Sequence, residues 1–96
     1  MNAFVYMLEC ADGTFYTGWT NNLEKRLAAH NDGSGARYTR GRLPVRIVYV
    51  EELSTRQEAQ RRETAIKALK RQQKAALKEK WSVLNQVSAE KIQLRN

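Results

Sequence analysis

Two runs rich in β-branched and aromatic residues open the chain, Phe4 to Cys10 and Thr14 to Thr20, with Ala11-Asp12-Gly13 between them. Such side chains favour extended backbone, and Asp-Gly is turn chemistry, so the pair predicts a hairpin. Two registers are open. A two-residue loop sets Tyr6 opposite Trp19 and Tyr16 opposite Glu9, with the tyrosines on opposite faces. A three-residue loop, a type I turn with Gly13 left-handed as a bulge, sets Tyr6 opposite Gly18 and Tyr16 opposite Leu8. Gly13 in third place favours the latter, which puts both phenols on one face. Two tyrosines with a glycine between them make a shallow pocket.

A helix follows, with Asn21 as its cap and Glu24 three residues on in a capping-box-like start. Leu23 and Leu27 form its apolar stripe. At the helical period, Arg26 and His30 lie within about 60° of Leu23, on one edge of that stripe. The helix ends near Asn31. The segment Asp32 to Arg42 is Gly- and Arg-rich and reads as a mobile cationic loop, unsuited to a core. Pro44 precedes a strand over Val45 to Glu52, in which Val45, Ile47 and Tyr49 alternate with Arg46, Val48 and Val50. Ser54 with Gln57 caps a second helix, whose apolar face runs Ala59, Ile66 and, off-centre, Leu69. Glu63 falls between Ala59 and Ile66 on that face. A third, very basic helix is expected over Arg71 to Lys80. Periodicity weakens from Trp81 to Asn96.

Composition narrows the classes. The 96 residues, 42% of them apolar, suit one modest core and argue against a wholly disordered chain. No run approaches the roughly 18 apolar residues of a membrane span, and the start lacks a signal-peptide layout. One cysteine, Cys10, and one histidine, His30, exclude an intramolecular disulfide and a structural zinc site. The expected compartment is the cytoplasm. The net charge of +7 falls in two blocks. Six basic residues stand against Asp32 between Lys25 and Arg46, and nine stand against three glutamates between Ser54 and Lys80. A polyanion is the partner this pattern suggests, though a set of solvated helix faces would have the same composition.

The candidates for chemistry are Tyr6, Tyr16, Gly18, Arg26, His30 and Glu63. Their order resembles the GIY-YIG endonuclease signature. Val5-Tyr6 looks like its first half and Tyr16-Thr17-Gly18 its second, about ten residues apart. Asn22-Leu23-Glu24-Lys25-Arg26-Leu27, then His30 and Glu63, continue it. A lone Tyr-x-Gly is a weak signal; the ordered set is specific. The likeness spans roughly residues 3 to 80 and is closest to the small stand-alone YhbQ-like members, relatives of the UvrC excision-repair nuclease domain. It implies an α+β fold, a small three-stranded antiparallel sheet flanked by helices. Residues 1–80 are then the nuclease-like domain, and 81–96 a C-terminal extension, flexible or a short helix.

The resemblance also implies phosphodiester hydrolysis by a tyrosine-assisted water and one divalent cation, with DNA as the expected nucleic acid. Tyr6 would take a proton from the water, and Tyr16 would hold the water or a phosphate oxygen. Arg26 would bind the scissile phosphate, His30 would assist proton handling, and Glu63 would hold the metal. A single carboxylate suits a hard cation that keeps its waters, Mg²⁺ or Mn²⁺. A phosphodiester repels hydroxide, so positive charge is needed where charge builds up. Tyrosine, with an ordinary pKa of about 10, is a poor base unless cations lower it or a neighbour takes its proton. Gly18 would let the phosphate backbone approach. Arg37, Tyr38, Arg40 and Arg42 in the loop, with Arg71, Lys74 and Lys78 on the last helix, would contact nucleic acid. Trp19 stands where the UvrC branch has a lysine.

Plainer readings stand beside these. The tyrosines also suit an ordinary sheet, His30 a helix C-terminus, and Arg26 a surface pair with Asn22 or Glu24. Glu63 also suits an ion pair with Arg26, because a carboxylate on an apolar stripe needs a partner. Tyr38 either stacks on a base or packs on the protein. The alternative function is a nucleic-acid-binding module of the same fold with weak catalysis, and a third is a purely structural domain.

Overall fold

The computed structural model describes residues 2–95, with side chains described from 2 to 84. Strands β1 (Ala3–Glu9), β2 (Phe15–Thr20) and β3 (Arg46–Leu53) form one antiparallel sheet in the order β2-β1-β3. Helices α1 (Leu23–Asn31) and α2 (Arg37–Arg40) follow β2, and α3 (Arg56–Lys67) and α4 (Arg71–Arg95) follow β3. Among the described residues no helix is long and apolar enough to cross a membrane.

β1 is central because it is apolar on both faces, with Val5, Met7 and Leu8 fully buried. On one face Ala3 and Val5 pack with Ala59 and Ile66 of α3, joined by Trp19, Tyr49, Leu69 and Leu77. On the other, Tyr6, Leu8 and Cys10 pack with Val45 and the α1 leucines Leu23 and Leu27. The hairpin takes the three-residue loop. Gly13 has φ +83°, its N–H bonds to the Cys10 carbonyl at 2.9 Å, and Tyr6 pairs with Gly18 and Leu8 with Tyr16.

Four local expectations are corrected. Asn22, not Asn21, caps α1, its Oδ1 accepting the Lys25 N–H at 3.1 Å. The Thr20 hydroxyl accepts the Asn22 N–H and lengthens the turn by one residue. Thr55, not Ser54, caps α3, accepting from the Glu58 N–H, because β3 runs on to Leu53. The apolar alternation of β3 is split by an irregularity opposite Met7 and Leu8, where Tyr49 and Ile47 are the partners. Tyr49 therefore joins the Val5 face while Ile47 joins the Tyr6 face. The segment after α1 is not a loose loop. It forms α2, and Thr39 within it is fully buried.

The helix expected to end at Lys80 continues in α4 to Arg95, through the segment expected to be flexible or a short helix. Its start is tied down by Arg71, which reaches the Gly13 carbonyl, and by Lys78, which pairs with Glu9 at 2.7 Å. Arg46 holds the same carboxylate from β3 at 2.6 Å. The hydrogen bonds from Lys78 and Arg46 keep the Glu9 carboxyl below its ordinary value.

The last residue of α1 fixes that helix to Val45, the residue just before β3. Asn31 Oδ1 accepts the Val45 N–H at 2.9 Å, and its Nδ2 donates to the Val45 carbonyl at 3.1 Å. Val45 is buried, so both groups lose their partners if the amide is removed. Asn31→Ala is expected to cost about 1–3 kcal/mol, seen as a lower urea midpoint at unchanged m. An unmoved midpoint would assign those backbone groups to water.

Candidate active site

The sheet face under α1 brings together Tyr6, Tyr16 and His30. The His30 ring lies 5.9 Å from the Tyr6 ring and 5.3 Å from the Tyr16 ring, and the tyrosine rings are 6.5 Å apart. His30 is fully buried rather than capping the helix end. Its Nε2 is 3.0 Å from the Tyr6 hydroxyl, and its Nδ1 is 2.9 Å from Thr39 Oγ1.

The Thr39 hydroxyl sets the tautomer. It has one proton and lies 2.9 Å from the Ala36 carbonyl, which can only accept. With that proton given to Ala36, Thr39 Oγ1 accepts from His30 Nδ1–H, and Nε2 presents a lone pair to the Tyr6 hydroxyl. The Ala36 N–H also points at Nδ1, but at 3.4 Å it is beyond ordinary hydrogen-bond length and yields to the shorter contacts.

Two glycines make room for this chain. A Cβ on Gly18 would stand 2.7 Å from the Tyr6 hydroxyl, and one on Gly35 would stand 2.5 Å from His30 Nδ1. Thr39 and Gly35 escaped the sequence reading. Their signal was a threonine and a glycine embedded among arginines, in a segment whose composition reads as solvent-exposed.

The charges around the chain are set by burial and by Arg26. Burial raises the Tyr6 phenol above its ordinary value, while a hydrogen bond from Arg26 pulls it back. Arg26 is raised in turn, chiefly by its hydrogen bond to Tyr6. Burial, then the Arg26 charge, lowers His30. At neutral pH the site therefore holds a neutral phenol, a neutral imidazole and a guanidinium.

Glu63 projects from α3, half-buried, and its charge adds a small upward push on Tyr6. Its ion pair is with Lys67, one turn on, at 3.6 Å, not with Arg26. Among the described residues no three His, Cys, Asp or Glu side chains cluster as a metal cage. A lone half-buried carboxylate matches a hard cation that keeps most of its waters, so the donor fits Mg²⁺ or Mn²⁺.

Several expected phosphate contacts have internal partners. Arg42 pairs with Asp12 at 3.0 Å, donates to the Tyr38 carbonyl and lies 4.0 Å from the Tyr38 ring centroid. Tyr38 itself stacks on Tyr16 at 6.2 Å. Arg40 donates to the Gly35 carbonyl, Arg71 sits over Phe15, and Lys78 is held by Glu9. Arg37 and Lys74 form no ion pair with the described residues.

The lowered His30 gives stability a particular pH dependence. Below the unfolded value of about 6.5 the unfolded chain takes up a proton that the fold resists, so stability present above that value is lost as pH falls toward the native one. The lowered carboxylates Glu9, Asp12 and Asp32 add their loss only further down. Urea midpoints are expected to be flat from about pH 8 to 7 and to fall below about 6.5. His30→Gln should lack that first phase and keep the carboxylate phase. An unchanged profile in the variant would mean that the imidazole is not held neutral.

Comparison with known proteins shows the family of the domain. The family model of the GIY-YIG catalytic domain matches residues 2–76. The UPF0213 protein CPE1444 of Clostridium perfringens is 60% identical over 74 residues, 77% of this chain and 80% of that protein. The UPF0213 protein VNG_2274C of Halobacterium salinarum is 53% identical over 76% of this chain and 95% of its own length. Among solved structures, the UPF0213 protein BH0048 from Bacillus halodurans has a TM-score of 0.52 at 45% identity, covering 80% of this chain and 82% of that one. The protein EF2693 from E. faecalis has a TM-score of 0.58 at 40% identity, covering 86% and 88%. With the paired tyrosines, Gly18, Arg26, His30 and Glu63 placed as described, the chain belongs to the GIY-YIG catalytic-domain family.

Proposed function

We propose that the protein is a metal-dependent endonuclease that hydrolyses phosphodiester bonds in DNA and selects its substrate by structure rather than sequence. The observation that carries this reading is the Tyr6 phenol 3.0 Å from the neutral His30 imidazole, with the Arg26 guanidinium lining the same pocket. A neutral phenol is not itself a base. With Nε2 unprotonated, however, the phenol proton has somewhere to go as a proton arrives from the attacking water. His30 Nδ1–H keeps its Thr39 partner whether the ring is neutral or charged, so the transfer needs no rearrangement. Burial and the Arg26 charge then favour loss of the extra proton, which resets the ring.

Arg26 presents its fork to the scissile phosphate, where negative charge accumulates. Tyr16, whose ring lies 5.3 Å from that of His30, holds the water or a phosphate oxygen. Glu63 would hold the divalent cation, which when bound supplies Lewis-acid stabilisation to the phosphate oxygens. The family match is to a catalytic domain, and the retained tyrosines, arginine and glutamate favour an enzyme over a binding module, which needs the positive charge but not this set.

Two variants test it, with Mg²⁺ or Mn²⁺ and labelled duplex, flap, branched and single-stranded substrates. Tyr6→Phe keeps the ring and removes the hydroxyl; turnover is expected to fall by about a hundredfold or more. Wild-type turnover in that variant would exclude Tyr6 from the proton path. Glu63→Gln keeps size and helix propensity but removes the charge. Cleavage is expected to disappear and not return with excess metal, while binding holds or rises. Equal cleavage by wild type and Glu63→Gln would remove Glu63 from the metal site. Binding by both with cleavage by neither would leave a binding module.

A further inference from the structure

Two clefts meet at the turn between β2 and α1. The first, about 280 Å³, has Lys25 and Arg26 in its wall; the second, about 200 Å³, has Trp19 and Arg56. Asn21 lines both, so they adjoin. Because Arg26 also lines a pocket with Tyr6, the pair runs away from the candidate active site along the edge of the sheet. Among the described residues no carboxylate lines either cleft. Glu52 accepts a hydrogen bond from Asn2, a lining residue of the second.

The cations here differ from those the sequence favoured. Arg42 and Lys78 are engaged by carboxylates, whereas Lys25 and Arg56 enter no ion pair among the described residues. Trp19 is half-buried. It packs against the Val5 and Ala59 cluster, and the Arg56 guanidinium lies 5.8 Å from its ring centroid. A purely internal tryptophan needs neither a cleft beside it nor a cation over it.

We propose that the second cleft is a nucleotide subsite, in which the Arg56 guanidinium moves off the Trp19 ring to hold a phosphate and an unpaired base takes its place on the indole. The strand then crosses the Asn21 turn, so that the following phosphates meet Lys25 and Arg26. This rests on the nucleic-acid reading above and adds the basis of substrate choice. Every base has a π face, so stacking on Trp19 is indifferent to sequence. A base inside a duplex is already stacked on its neighbours, so the subsite favours single-stranded or frayed DNA next to the cut.

The experiment uses Trp81→Phe as the parent, which leaves Trp19 as the one indole. A fluorescein-labelled oligothymidylate is titrated in EDTA, so that nothing is cleaved, and anisotropy and Trp19 emission are read together. The expected result is quenching of Trp19 that tracks the anisotropy, with weaker quenching by a duplex. Adding Arg56→Gln is expected to weaken binding about threefold to tenfold and to lower the single-strand salt slope by about 0.7. Unchanged Trp19 emission in saturated protein, or wild-type affinity and slope in Arg56→Gln, overturns the subsite. The nuclease reading survives that outcome if the parent still cleaves with metal. No rise in anisotropy with any nucleic acid overturns both.

Discussion

The hydrogen-bond chain from Tyr6 through His30 to Thr39 and the Ala36 carbonyl is the constraint around which this half of the molecule is arranged. It joins the central strand to α1 and α1 to α2, and both Thr39 and His30 are fully buried. A buried polar chain is favourable only when every member is paired, because a single orphan costs about as much as several good contacts return. The local chain geometry follows from that demand. Gly18 leaves space for the phenol and Gly35 for the imidazole, and Arg37 to Arg40 coil into one helical turn that brings Thr39 inward. The arginines flanking Thr39 stay outside, so a segment basic in composition delivers one polar residue to the core.

The same burial prepares the chemistry. A phenol in this setting is less acidic than in water and an imidazole less basic. Separately, each shift works against a catalytic base. Together they keep both groups neutral at pH 7, hydrogen-bonded in the one direction that leaves the Nε2 lone pair facing the Tyr6 proton. Arg26, partly exposed at the mouth, supplies positive charge there without itself being buried.

Much of this was legible in the sequence, and the parts that were not have a common cause. Gly13 at the third loop position carried the hairpin register, because only one loop length uses a left-handed residue there; both tyrosines fell on one face as a result. Ala59 and Ile66 followed from the helical period. The caps were each one residue out, since Thr20 and Leu53 extend their strands by side-chain and ladder bonds that propensity does not count. The β3 irregularity was invisible because alternating apolar residues look alike whether or not one is bulged. His30 read as peripheral for a deeper reason. Its burial depends on Thr39 and Gly35, residues beyond the end of its helix, and periodicity within α1 contains nothing about them.

Strand order explains why the site lies where it does. The tyrosines and His30 belong to the sheet face beneath α1, whereas Glu63 belongs to α3 on the opposite face. Across the middle of a sheet, groups on opposite faces are kept apart by packed side chains. β2, however, is an edge strand, and α3 packs over both it and β1. At the Tyr6 pairing position that edge carries Gly18, whose missing side chain leaves the Tyr6 face to the phenol. The guanidinium from one face and the carboxylate from the other therefore both act on the Tyr6 hydroxyl, and they act with opposite sign. Moving β2 to the centre would bury this meeting point under packed side chains. At the edge, the guanidinium and the carboxylate stay within reach of solvent on either side of the buried phenol, and the proposed cleavage of a long substrate depends on that placement.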